Sequence, residues 1–200
     1  MTKKAALIAV LAMLLIIASC GCSSGGSRNA PIDDDDSSSE YEVDDEGFTV
    51  FSDSKYKVPS ALKIVPEIAE SEGLTINQKR YYIDQNVELT PRTFIPNLSV
   101  EIAEYRYTAD EHVRFREGIL ASLNAQLSNT QAQVNGAGMT TEKGLVLYKF
   151  TITEAEQETI QYYIPGDHVY FLIHSTSDFG DSQEMLDTGA MEIANSFEWL

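Results

Sequence analysis

Thr159-Ile-Gln-Tyr-Tyr-Ile-Pro-Gly-Asp-His-Val-Tyr-Phe-Leu-Ile-His-Ser175 holds two apolar, aromatic and β-branched runs about a turn. Thr159–Ile164 and His168–Ser175 read as strands, and Pro165-Gly166-Asp167 between them is turn chemistry. Two strands joined so tightly must lie antiparallel. Leu145-Val-Leu-Tyr-Lys-Phe-Thr-Ile152 precedes them as a third strand, so this part of the chain reads as an antiparallel meander.

Upstream, Thr93–Tyr107 contains a strand in which Leu98, Val100 and Ile102 alternate with Ser99, Glu101 and Ala103. Leu74–Asp84, with Tyr81-Tyr82-Ile83, also reads as strand, and Phe48–Pro59 as extended chain. In Leu62–Glu72, Pro66 can open a short helix that ends at Gly73. A longer helix is expected over Ala109–Leu127. Thr108 and Glu111 make a capping box, and Phe115, Ile119, Leu123 and Leu127 form one apolar stripe. Asn124–Asn135 loses that period, and Gly136-Ala-Gly138 reads as a break. A last helix starts near Asp181, with Leu186, Ala190, Ile193 and Phe197 along one face, and Trp199-Leu200 is expected to tuck onto the sheet. Strands, helix, meander and helix, with both long helices one-sided, give an α+β fold: an antiparallel sheet flanked by helices, an α/β/α sandwich.

Charge is uneven along the chain. The formal total is −17. Residues 1–19 hold Lys3 and Lys4. Ser23–Glu46 holds nine acids and Arg28, a net of −8, and Gly47 onward keeps −11. Nucleic acid needs Lys and Arg against its phosphates, so this balance excludes it as a partner. It equally excludes adhesion to anionic lipid by charge, so attachment to a membrane must come from hydrophobic insertion.

The N-terminus supplies that insertion. Lys3 and Lys4 precede Ala5–Ile17, thirteen apolar residues in a row. Such a helix spans about 20 Å, short of the ~30 Å hydrocarbon core, and reads as a signal-peptide core. Ile17-Ala18-Ser19-Cys20 resembles a bacterial lipobox. That resemblance implies cleavage before Cys20 and diacylglycerol on its thiol, and two or three acyl chains anchor stably. Cys22 is the rival, but it would place Ser19 where a branched apolar residue is preferred. Residues 20–46 then form an acidic linker, too poor in apolar residues to fold. Its Asp33–Asp36 run lacks the alternating ligands and glycine turn of a calcium loop. The folded domain is expected over residues 47–200. With both cysteines at the leader boundary, it has no disulfide and no thiolate metal site.

The domain resembles the Mog/PsbP sandwich family. The resemblance rests on Tyr56-Lys-Val-Pro59, Asn97-Leu-Ser-Val100-Glu-Ile102, the helix Asp110–Leu127, the hairpin Gln161–Phe171, and the closing Ile193-Ala-Asn-Ser-Phe197-Glu-Trp. That family includes bacterial lipoproteins of unknown role. In its characterised branches it is a protein-binding scaffold, engaging a GTPase, a photosystem or a secreted cargo. It has no shared catalytic residues, so the resemblance implies a binding module.

The residues themselves offer no catalytic constellation. His168 and His174 are six apart on one expected strand, some 20 Å, too far to share a metal. His112 lies in the first turn of the capped helix. No nucleophile elbow, zinc-protease helix or phosphate loop occurs. No cofactor and no metal are therefore expected, nor enzymatic activity. Adjacent tyrosines on a strand point to opposite faces, so some must face outward. Tyr81, Tyr105, Tyr107, Tyr163 and Tyr170 are the candidates for an aromatic binding surface, with packing inside the sheet as the alternative. The expected function is a membrane-anchored, extracytoplasmic lipoprotein acting as a non-catalytic protein-binding or assembly module, with Cys20 lipidated and a protein partner not named by the sequence. The alternatives are a small-ligand-binding lipoprotein, or an enzyme whose site is assembled from scattered polar residues.

Overall fold

From Val43 onward the described residues form two sheets and three helices. In chain order these are β1 (Thr49–Phe51), β2 (Ser54–Tyr56), β3 (Leu62–Ile64), α1 (Pro66–Ser71), β4 (Lys79–Asp84) and β5 (Asn97–Glu104). A short 3-10 turn (Ala109–Glu111) leads into α2 (His112–Gln126). Then come β6 (Gln133–Thr140), β7 (Val146–Thr153), β8 (Gln157–Pro165), β9 (Val169–Asp178), α3 (Asp181–Ser196) and β10 (Glu198–Trp199). The structure is a computed structural model that describes residues 43–89, 94–154, 157–178 and 181–200, all within the compact unit Tyr41–Leu200. The leader, Cys20 and the Asp33–Asp36 run lie outside the described residues.

The main sheet has seven strands in the order β3-β4-β5-β9-β8-β7-β6, every neighbour antiparallel. β1, β2 and β10 make a second, small sheet. Register divides the main sheet into two faces. Val100, Tyr162, Ile164, Phe171 and Ile173 point to one side, where Leu186, Ala190, Ile193 and Ala194 of α3, and Phe197 just beyond its end, bury against them. Phe171 and Phe197 stack at 4.3 Å. The neighbours Tyr163 and Tyr170 point to the other side and meet Phe115 of α2, ring centroids 5.8 and 5.5 Å apart. Since successive strand residues face opposite ways, the two helices cover opposite faces, and the molecule is an α/β/α sandwich. Burial of each large side chain contributes roughly 1.5–3 kcal/mol.

Three local readings are corrected. Gly136-Ala-Gly138, expected as a break, lies inside the eight-residue strand β6. The glycines are there for space: a Cβ on Gly136 would sit 2.9 Å from the Phe150 ring, which folds across it from β7. His168, expected on a strand, takes the left-handed place in the turn (φ 60°). Its N–H donates to the Tyr107 carbonyl and its carbonyl accepts from Tyr105, which fastens the turn to the chain beyond β5. Of the terminal pair, Trp199 joins β10 and packs edge-on against Phe197 at 4.8 Å, while Leu200 is 68% exposed. Pro66 opens α1, Gly73 is left-handed just beyond it, and Thr108 with Glu111 forms the capping box, all as read; the strand expected over Leu74–Asp84 is confined to Lys79–Asp84, and Phe48–Pro59 folds back on itself as β1 and β2.

Candidate functional site

The tyrosines form a layer inside the molecule. Tyr81, Tyr163 and Tyr170 are 6, 1 and 3% exposed, so these three do not belong to a surface. Tyr163 and Tyr170 lie 5.3 Å apart beneath α2, and Phe150 meets Tyr163 edge-on at 5.7 Å. Burial pushes the hydroxyls of Tyr81, Tyr163 and Tyr170 above the usual phenol range, so all three remain neutral donors. Tyr105 and Tyr107 are half-buried at the rim of the layer, 5.5 Å from each other, with the Arg106 guanidinium 4.8 Å over the Tyr107 ring. Sequence alternation gives the side of the sheet a tyrosine occupies; it does not say that a helix covers that side.

Next to this layer, on the same face, runs a strip of polar side chains. Register aligns Lys79 with Glu101, and Tyr81 with Ser99, His174 and Gln161, across β4, β5, β9 and β8. The Lys79 ammonium is 3.6 Å from Glu101, with the lysine side chain 3% exposed, and lies 5.0 Å over the Tyr81 ring. Tyr81 donates to Glu72 at 2.7 Å, and Tyr163 donates to Gln161 at 2.7 Å. Thr176 Oγ1 and His174 Nε2 share a hydrogen bond at 3.3 Å. Burial, and then the Lys79 charge, push the His174 imidazole down to about 4, so it is neutral at physiological pH. These groups are turned toward one another, which makes the strip a polar seam of the fold. Sequence reasoning missed it, because its members come from four strands and adjoin only through register.

On the opposite face, Asp187 of α3 accepts from Lys149 Nζ at 3.1 and 3.2 Å and from the buried Tyr162 hydroxyl. This knot fastens α3 to β7 and β8. His112 Nδ1 and the Tyr148 hydroxyl, 2.8 Å apart, likewise tie α2 to β7. An open groove of about 420 Å³ lies between the β2–β3 connection and α3, with Glu184 and Glu192 at its wall. Among the described residues, no three His, Cys, Asp or Glu side chains stand together as a metal site.

The surface that stands apart is the sheet edge at β6. Among the described residues β6 pairs only with β7, so its outer backbone N–H and C=O groups meet no strand. Seven of its eight residues are exposed. Folded proteins protect such edges with charge, proline or short length. The opposite edge follows that rule: β3 has three residues and carries the exposed Lys63. β6 does not. From Gly118 to Thr141 the chain has 24 residues without one Asp, Glu, Lys or Arg, where the 22% average would put about five. That run was legible in the sequence; its place at an open edge was not, because Gly136 and Gly138 disguise the strand.

Comparison with known proteins bears on the fold. No family model and no curated protein matches this chain. Solved structures similar to it include cyanobacterial PsbP (CyanoP) from Synechocystis sp. PCC 6803, 17% identical over 80% of this chain and 91% of that one, TM-score 0.45. A variant of Mog1 is 12% identical over 74% and 90%, TM-score 0.42. A protein of Bacteroides thetaiotaomicron VPI-5482 is 9% identical over 74% of this chain and 46% of that one, TM-score 0.40. The likeness is one of fold alone and brings no partner, site or activity to this chain.

Proposed function

We propose that this protein is a lipid-anchored lipoprotein, held outside the cytoplasm through Cys20, that binds protein without catalysing a reaction, and that β6 is its contact edge. The observation carrying the binding reading is the uncharged, unguarded edge on a chain of formal charge −17. A strand with free backbone donors and acceptors takes up another extended segment through main-chain hydrogen bonds. The anchor reading rests on the apolar run Ala5–Ile17 ending in Ala18-Ser19-Cys20.

Two measurements test the two halves. A photo-reactive amino acid at Met139, in the full chain in its native cells, should crosslink to a discrete protein, while the same probe at the exposed Glu117 of α2 should not. Equal yields at both positions, or none at either, overturn the binding reading. Cys20→Ser should abolish metabolic palmitate labelling and release the protein from membranes, and Cys22→Ser should leave both intact. Labelling that survives Cys20→Ser moves the anchor elsewhere.

A further inference from the structure

We infer that the partner of β6 is β6 of a second copy, paired antiparallel about a two-fold axis near Ala137, so that two seven-stranded sheets become one. This inference rests on the proposed contact edge and names its occupant.

Three observations point to a second copy. The first is charge. The domain from Gly47 carries −11, so two copies repel over most of any shared surface. The run Gly118–Thr141 is the place where they can meet with no like charges opposed. A basic partner would be drawn to the acidic remainder of the surface and gains nothing from a neutral strand.

The second observation is shape. The centre of β6 is Gly136-Ala137-Gly138, whose small side chains let another backbone approach. The two glycines are already covered on one face by Phe150 and Tyr148 of β7.

The third is self-complementarity. A two-fold axis through an antiparallel strand pair lets each free donor meet its twin's acceptor, so one strand satisfies itself and needs no second sequence. With the axis at Ala137, each Asn135 faces the second copy's Met139, and each Gly136 faces the second copy's Gly138. At the opposite sheet edge, β3 is too short and carries Lys63, so assembly stops at two copies.

The test is disulfide mapping in the full chain, in membranes, with Cys22→Ser to remove the other thiol. Residues facing each other in an antiparallel pair have Cα atoms about 4.5–5.5 Å apart, within disulfide range. Ala137→Cys should therefore oxidise to a covalent dimer at least tenfold faster than the exposed control Glu117→Cys. In protein purified in detergent, Ala137→Lys should reduce the dimer fraction measured by sedimentation at least tenfold, with circular dichroism unchanged. Ala137→Cys no faster than the control, together with a monomer at all concentrations, overturns the inference. If Met139 then still crosslinks to a different protein, the contact edge stands and the second copy falls. If Met139 crosslinks to nothing, both fall.

Discussion

Acidification should destabilise this protein through His174 in particular. Its imidazole lies in the polar seam beside Lys79, with Glu101, Ser99 and Gln161 on the same face, and is held at about 4 where a free histidine titrates near 6.5. The folded state thus binds fewer protons than the unfolded chain between those two values. Stability from the neutral ring is fully present above about pH 6.5 and is lost as pH falls toward 4. The loss amounts to about 1 kcal/mol by pH 5.5 and about 2 to 3 kcal/mol by pH 4.5, taken as upper bounds because the residue keeps a partial opening to solvent. The chain's 31 carboxylates titrate in an overlapping range, so the wild type alone does not isolate the effect. His174→Gln keeps a polar group for Thr176 and removes the titration. Urea unfolding of both proteins at pH 7.5, 6.5, 5.5 and 4.5 should give curves that diverge on acidification, the wild type losing more. Parallel curves, or an NMR titration of His174 near 6.5, would refute the reasoning that burial and Lys79 hold it neutral.

Gly118 on α2 faces the Tyr105 hydroxyl, and a Cβ there would lie 2.6 Å from it. Tyr105 is wedged among Tyr107, Phe115 and Tyr170 and has little room to yield. Gly118→Ala should gain about 1 kcal/mol of helix propensity but lose about 1–3 kcal/mol to overpacking. Thermal unfolding should show net destabilisation in the wild type and a gain in the Tyr105→Phe background, where the clashing oxygen is gone; a loss in both backgrounds contradicts the contact. At the α3 knot, Tyr162→Phe should cost about 1–2 kcal/mol, because Asp187 keeps Lys149. Asp187→Ala should cost more, since it strands both the Tyr162 hydroxyl and the Lys149 ammonium, and denaturant midpoints should rank the two variants in that order. Phe115→Ala removes the ring that α2 sets on Tyr163 and Tyr170, and should cost about 3–5 kcal/mol by the same assay.

Local pattern was enough for most elements. The period of Phe115, Ile119 and Leu123, and of Leu186, Ala190 and Ile193, fixes two helices and their buried faces, because burial selects the same stripe that the sequence shows. The turn chemistry of Pro165-Gly166-Asp167 predicts the hairpin β8–β9 and with it the antiparallel character of the sheet, although Pro165 itself ends β8 and the turn falls on Gly166-Asp167-His168. The seam of Lys79, Glu101, His174 and Gln161 was not legible, since its residues are up to 95 positions apart (Lys79 to His174) and become neighbours only through strand register. Nor was the exclusion of Tyr81, Tyr163 and Tyr170 from the surface.

By itself, then, the sequence determined charge, element type and the inner side of each long helix, all of which depend on residues a few positions apart. The tertiary structure decided which strand lies at the rim, which tyrosines are covered and which histidine is held neutral. Those outcomes depend on which distant segments touch, and a strand made of Gln133-Val-Asn-Gly-Ala-Gly-Met-Thr140 is recognisable as one only when Phe150 and Tyr148 fill the space its glycines leave.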